Sequence, residues 1–302
     1  MRDEKGVKQG RASDQAIDVE TTAMNVRTQA QSIPLPLLDD VWQQTLGWQP
    51  TALQQKQFQQ LYDLILAGNR QLNLTRITEA TEFWEKHLWD SLRGVKPFLS
   101  AAQVAMGSEG QGTVTAWQPG AETLNSVPVG HDVTPWKVID IGTGAGFPGV
   151  PAAIAQSMWT VTLLDATRKK IHFLDQLLAD LQMPNAIPIV GRVEAIGRQQ
   201  GHRQTYDLAL IRAVAPAAVC AEYALPLLKI GGNAVLYRGQ WTDTETASLT
   251  AAVATLGGKI DAIDAFKTPL TDSDRHCVYI QKVASTPDEF PRAIGIPTQK
   301  PL

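Results

Sequence analysis

The chain has 302 residues, 44% of them hydrophobic and 19% charged, with a net charge of −3, enough for one large core with attachments or for two small domains. No run approaches the roughly 18 to 20 apolar residues that cross a bilayer, and the charged start Met1-Arg-Asp-Glu-Lys5 has no apolar stretch behind it, so a membrane protein and a secreted one are both disfavoured. Two isolated cysteines, Cys220 and Cys277, exclude a disulfide framework and a CxxC metal site, and the expectation is a metal-free cytoplasmic protein.

Residues 1–33 are polar, mixed in charge and aperiodic, and read as a disordered extension. Order begins at Ile33-Pro-Leu-Pro-Leu-Leu38. From Thr51 to Leu72 the apolar positions Leu53, Phe58, Leu61, Leu64, Ile65 and Leu72 fit one face of an amphipathic helix. A second helix is expected with Thr78 as N-cap and with Glu79 and Glu82 in its first turn, where the helix dipole favours acids. It passes through Phe83, Trp84, His87, Leu88 and Leu92 and stops near Gly94 and Pro97. Together these form a small helical N-terminal cap over 34–99. Residues 100–135, rich in Gly, Ser, Thr and Val with almost no charge and no period, read as a flexible insertion.

From 136 to 284 strands and helices alternate. Apolar strands are expected at 137–141, 160–165, 186–190, 206–212 and 232–237, with helices near 148–157, 168–181, 216–229 and 243–256. That alternation implies a parallel sheet with helices on both faces. Two last strands, near 259–266 and 276–283, leave no room for a helix between them and imply an antiparallel closing hairpin. A Pro-rich tail, 285–302, follows.

The first of these strands runs into Gly142-Thr-Gly-Ala-Gly-Phe-Pro-Gly149, four glycines in eight residues. Gly142, Gly144 and Gly146 permit positive φ and keep Cβ atoms out of the space between backbone and ligand. Asp165 ends the second strand, 19 residues after Gly146, where a carboxylate accepts hydrogen bonds from both hydroxyls of a bound ribose. Gly144, Gly146 and Gly149 also nest a GxGxxG, so glycine spacing alone leaves a dinucleotide open. Asp140 before the loop, the Leu228-Lys-Ile-Gly-Gly-Asn233 turn and the closing hairpin favour S-adenosylmethionine. The fold expected is therefore α/β: a doubly wound, Rossmann-like class I methyltransferase sheet with an antiparallel C-terminal hairpin and a helical cap.

Each methylation chemistry leaves its own residues. Cytosine C5 transfer needs a cysteine nucleophile, and neither cysteine follows the fourth strand; both read as small core residues. Amine methylation typically uses an Asn/Asp-Pro-Pro-aromatic loop after that strand, and here the position reads Ile211-Arg-Ala-Val-Ala-Pro216. A guanine N7 has an in-plane lone pair and loses no proton, so transfer to it requires alignment rather than a base.

Several motifs occur in combination: Asn73-Leu-Thr75, His87-Leu-Trp-Asp-Ser-Leu92, Asp140-Ile-Gly-Thr-Gly-Ala-Gly-Phe-Pro-Gly-Val-Pro151, Leu163-Leu-Asp165, Arg192-Val-Glu194, Arg212-Ala213, Gly239-Gln240 and a tail Phe290-Pro-Arg292, Gly295-Ile-Pro297, Lys300-Pro-Leu302. With these the chain resembles the bacterial 16S rRNA guanine-N7 methyltransferases, also called glucose-inhibited division protein B, from about Leu53 to the C-terminus apart from 100–135. The resemblance implies that S-adenosylmethionine contacts Gly142 and Phe147, that Val193-Glu194 lies near its adenine, and that Arg212 lies beside its methionine end. It also implies a guanine in the decoding-region (530-type) loop of small-subunit rRNA as target. Where the family usually has Leu-Lys-Gly-Gln, this chain has Tyr237-Arg-Gly-Gln240, so Arg238 puts a guanidinium fork where a point charge is usual.

The residues themselves allow two readings at most positions. Arg212, ending a buried strand at the carboxyl edge of the sheet, is read as a positioning residue for the reaction or as half of an ion pair. His87, Asp90 and Ser91 share a helix face and either meet the substrate or brace the cap. Asn73 either positions substrate or forms a turn, and Phe147 either covers the cofactor or packs the helix. Arg192, following the third strand, likewise has a site role or is half of an ion pair. Arg168, Lys169 and Lys170 belong to a stretch, 167–212, with seven Lys or Arg against four Asp or Glu, and they either hold phosphates or are solvated. The substrate-binding candidates are thus Asn73, His87, Arg168, Lys169, Arg192 and Arg238, and the expected partner is 16S rRNA or the small ribosomal subunit, met by a monomer. A small-molecule methyltransferase and a non-catalytic RNA-binding protein on the same fold are the competing functions.

Overall fold

The computed structural model describes residues 33–103, 113–116, 125–128 and 135–302; the extension expected over 1–33, apart from Ile33, and much of the insertion expected over 100–135 fall outside these. Pro34–Leu302 forms one unit. Its sheet has seven strands: β1 (Lys137–Ile141), β2 (Thr160–Asp165), β3 (Ala186–Val190), β4 (Tyr206–Arg212), β5 (Leu228–Arg238), β6 (Gly258–Lys267) and β7 (Asp274–Lys282). They lie in the order β3-β2-β1-β4-β5-β7-β6. β1 to β5 are parallel, with Ile141 beside Leu164 and Ile211. β7 is antiparallel to both β5 and β6, the expected closing hairpin. A separate antiparallel ladder pairs Thr113–Ala116 with Asn125–Pro128.

Strand residues alternate between two apolar layers, as a period of two requires. Val138, Leu163, Leu208, Leu210 and Val235 face one layer, whereas Ile139, Leu164, Ala209, Ile211 and Leu236 face the other. A sheet buried on both faces is typical of parallel strands joined by helical crossovers. The first layer is continuous with the cap, where Trp42, Trp48, Phe58 and Trp84 pack ring against ring. The second is covered by helices after β4 and β5.

The cap holds α1 (Asp39–Leu46), α2 (Ala52–Leu72) and a continuous helix α3, which runs as Ala80–Phe83, a π-helical turn Trp84–Trp89, and Asp90–Gln103. α1 was not expected from the sequence, because its eight residues bury only Trp42 and Leu46 and so show little period. The α2 start agrees: the Thr51 side chain accepts from the Gln54 amide and Gln54 reaches back to the Thr51 amide. Leu53, expected on the buried face, is exposed at the first turn. Glu79 rather than Thr78 caps α3, accepting from the Glu82 amide at 2.7 Å.

The helix also continues through Gly94 and Pro97 instead of ending there. Gly94 is needed for packing: a Cβ on it would lie 2.3 Å from the Tyr237 ring of β5. Beyond the cap, α4 (Gly149–Ala155), α5 (Arg168–Asp180), α6 (Val193–Ile196), α7 (Ala217–Ala224), α8 (Asp243–Thr255) and α9 (Ile296–Gln299) complete the unit. The helix expected over 216–229 stops at Ala224, because the chain from Leu228 is already strand.

Candidate functional site

The carboxyl ends of β1, β2, β3 and β4 converge on a cavity of about 300 Å³. At its floor the loop after β1 is braced from inside by Asp140, fully buried, whose Oδ2 accepts from Thr143 Oγ1 (2.6 Å) and the Gly149 amide (2.8 Å). Burial pushes the Asp140 carboxyl up to about 6. Gly142 has φ +71, and a Cβ there would meet Val214 at 2.7 Å. Gly144 has φ +61, and a Cβ there would meet only the Gly142 carbonyl oxygen, at 3.9 Å; its amide donates to Asp165 Oδ2 at 3.0 Å.

Asp165 Oδ1 accepts from the Thr167 amide at 2.8 Å. Each carboxylate oxygen so takes one backbone donor and retains acceptor capacity, and Asp165 lines the cavity. Gly142, Arg192, Val193, Tyr223 and Thr298 line it too. Glu194 lies behind this wall, 1% exposed. Its Oε1 accepts from Arg192 Nη2 (3.0 Å), Tyr223 Oη (3.4 Å) and the Gly295 amide (3.0 Å). Burial acts to raise this carboxyl, but the Gly295 amide, its own amide and Arg192 outweigh that and hold it below the usual glutamate value.

A second cavity, about 610 Å³, lies between the cap and the ends of β4 and β5. Lys86, His87, Asp90, Arg212, Arg238 and Arg275 are in its lining. The turn after β4 joins the two: Arg212 and Ala213 line this cavity, Val214 and Ala215 the first. Ala213 makes the turn with φ +55. Arg212 Nη1 donates to Asp90 Oδ2 and to the Lys86 carbonyl, both at 3.0 Å, and Nη2 faces His87 Nδ1 at 3.4 Å. With Nδ1 accepting, His87 Nε2 carries the proton and donates to Thr75 Oγ1 at 2.8 Å. Burial, then Arg212 and Lys86, push the His87 pKa down to about 3, so the ring is neutral.

The predicted residues therefore divide. Gly142, Asp165, Arg192 and Val193 share the first cavity, and His87, Arg212 and Arg238 the second. Gly146, φ +98, packs on Val150 and Leu174 inside the loop. Phe147 is not in the lining of the first cavity; it is buried, stacked on the His87 ring at 4.4 Å and edge-on to Phe83 at 5.6 Å, since the loop turns it into the cap. Arg238 is committed to the Ala215 carbonyl and to Glu245, each at 2.9 Å.

Asn73 is brought to neither cavity. It is exposed and left-handed (φ +48), terminating α2, and Thr75, two residues on, is the member of that motif that reaches His87. Arg168 and Lys169 stand exposed at the start of α5, outside both linings and without an ion-pair partner among the described residues. Sequence reasoning missed Thr75, Tyr223, Arg275 and Thr298. Thr75 lay inside a quoted motif, but the other three meet the cavities through tertiary placement that no local pattern announces.

A family model described as rRNA small subunit methyltransferase G matches residues 54–112 and 121–278, with its break inside the segment read above as an insertion. The ribosomal RNA small subunit methyltransferase G of Trichormus variabilis is 57% identical over 268 residues, covering 89% of this chain and 98% of the relative. That of Trichodesmium erythraeum is 53% identical over 268 residues (89% and 94%), and that of Synechococcus elongatus 50% over 261 (86% and 95%).

The chain belongs to this family. Like the rest of the small-subunit methyltransferase G family it is a methyltransferase of α/β fold, and its methyl donor is S-adenosylmethionine. The glycine loop and Asp165 fit that donor: Gly142 reaches the cavity wall with φ +71, and Asp165 keeps acceptor capacity at the cavity. Among the described residues no helix is long and apolar enough to cross a membrane, and no three His, Cys, Asp or Glu side chains group as a metal site.

Proposed function

We propose that the chain methylates N7 of a guanine in the decoding-region loop of small-subunit rRNA, as a cytoplasmic monomer. The observation that carries this reading is the second cavity. It adjoins the donor cavity across the single turn Arg212–Ala215, and its lining holds four cations, Lys86, Arg212, Arg238 and Arg275, and one acid, Asp90, while Glu82 and Glu245 pair with Lys86 and Arg238 from outside the lining. A polyanion suits such a lining, whereas a small apolar metabolite does not.

Bound S-adenosylmethionine supplies a methyl group on a positively charged sulfur. In this chain Gly142, Gly144 and Gly146 shape the loop that admits the donor, and Asp165 accepts from its ribose hydroxyls. Val193, backed by Glu194, borders the base. Arg212 is the positioning residue: it borders the donor cavity by sequence and the cationic cavity by contact, and Asp90, Lys86 and His87 fix its guanidinium. Phe147 acts through its stack on His87 rather than by covering the donor. Arg238 and Arg192 flank the RNA side, with Arg168 and Lys169 as outer phosphate contacts. Alignment suffices for N7, which has no proton to lose. The neutral His87, engaged at both nitrogens, fits a site that positions rather than deprotonates.

The test is methyl transfer in vitro from labelled donor to small subunits, naked small-subunit rRNA and a metabolite extract, followed by nucleoside digestion. Label in N7-methylguanosine alone is the expected result. Label in another nucleoside, or in metabolites only, would refute the proposal.

A further inference from the structure

After β7 the chain is anchored mainly by cations that reach its backbone. Arg203 donates to the Phe290 carbonyl at 2.7 Å and the Thr286 carbonyl at 3.1 Å, and Arg198 to the Pro291 carbonyl at 2.9 Å and the Glu289 carbonyl at 2.7 Å. Lys282, fully buried, donates to the Leu225 carbonyl and to Thr286 Oγ1. Arg292 then grips Glu222, itself 0% exposed. Its Nε lies 3.0 Å from Oε1, its Nη2 2.5 Å from Oε2, and its amide 2.8 Å from Oε1. Three residues on, the Gly295 amide meets Glu194, and Thr298 of α9 enters the lining of the donor cavity.

The rest of that lining comes from the ends of β1, β2, β3 and β4 and from Tyr223 of α7. Glu222 and Tyr223 are neighbours on α7, so the carboxylate that seats the C-terminal strap and the aromatic ring that walls the cavity share one helical turn. Tyr223 also joins the strap through their common acceptor, Glu194. A loose segment would have to be ordered at each binding event, at an entropic cost subtracted from affinity. A strap already seated by a paired, buried carboxylate avoids that cost.

We propose that Thr298 is a binding residue for the nucleoside part of the methyl donor, and that Glu222–Arg292 is the positioning pair that sets it against the cavity. This rests on the reading of the first cavity as the donor site. The strap governs donor affinity, and the cationic cavity is independent of it.

Calorimetric titration of the full chain with S-adenosylhomocysteine tests both parts. Thr298→Trp puts bulk on an exposed position and is expected to weaken binding at least about tenfold with the melting temperature unchanged. Arg292→Gln is expected to weaken it similarly, and Arg292→Lys to recover part. In assays the KM for donor rises in these variants while the KM for rRNA stays. Should Arg292→Gln not fold, Thr298→Trp and ligand-induced slowing of amide exchange over 295–299 decide. Wild-type affinity in Thr298→Trp, or no added protection over 295–299, would overturn the proposal. No binding by the wild-type chain would instead overturn the donor-site reading, and the strap's role with it.

Discussion

His87 joins the cap to the glycine loop through three contacts of different kinds: a hydrogen bond to Thr75, a face-to-face stack on Phe147 and the approach of Arg212. Its neutrality has a consequence for stability. The unfolded chain takes up a proton near pH 6.5 and the folded one only near pH 3, so stability is lost as pH falls through that window, on the order of 5 kcal/mol in all. Asp140 works the opposite way. Its folded value, about 6, exceeds the ordinary 3.8, so its contribution is lost as pH rises through 6. The His87 window is the wider, but from about pH 6 down to 3.8 the two slopes oppose each other, so the His87 contribution is read by removing it. We predict that His87→Gln flattens the fall in Tm between pH 6.5 and 4 relative to wild type; thermal melts in matched buffers check this, and parallel curves would contradict it.

At the scale of elements, the decisive contact is α3 against β5. Tyr237 Oη donates to the Ser91 carbonyl (2.8 Å) and Tyr279 Oη to the Gly94 carbonyl (3.1 Å), so two buried rings are pinned where the helix passes. Gly94→Ala should gain roughly 1 kcal/mol of helix propensity. Its Cβ, however, would stand 2.3 Å from a ring held at both ends, and overpacking of that kind costs about 1–3 kcal/mol. Packing outweighs propensity here, and the expected result is a lowering of Tm by about 2–6 °C, measured by calorimetry. A raised Tm would show the ring free to move.

The same contact explains what could be read in advance. The β1, β2, β3 and β4 bounds were legible residue by residue, because each is a short apolar run ended by a turn or a glycine. The glycine loop and Asp165 were legible because their spacing belongs to one βαβ unit. The end of α3 was not, since a glycine needed for tertiary packing looks in sequence like a helix stop. The strap was illegible for a related reason: its anchors, Arg198, Arg203 and Glu222, lie 70 to 93 residues from the carbonyls and amides they hold, so no local window contains the pair. Asn73 and Phe147 were singled out by motif, yet one ends a helix and the other packs the cap.

For the molecule as a whole, the arrangement of the two cavities matters more than net charge. An acidic chain presents Lys86, Arg212, Arg238 and Arg275 on one concave surface, and Arg275 has no acidic partner among the described residues. Removing it should weaken rRNA binding and reduce the slope of log K against log salt by about 0.7, the value for one single-strand phosphate, with donor affinity unchanged. Filter binding over a salt series checks this; an unaltered slope would place the RNA elsewhere.

The most direct measurement is mass spectrometry of small-subunit rRNA fragments from cells lacking the gene, complemented with the wild-type chain or with Arg212→Ala. A methyl group at guanine N7 in the decoding-region fragment, absent in the deletion, restored by wild type and not by Arg212→Ala, is the predicted result. The same methylation persisting without the gene would contradict the account.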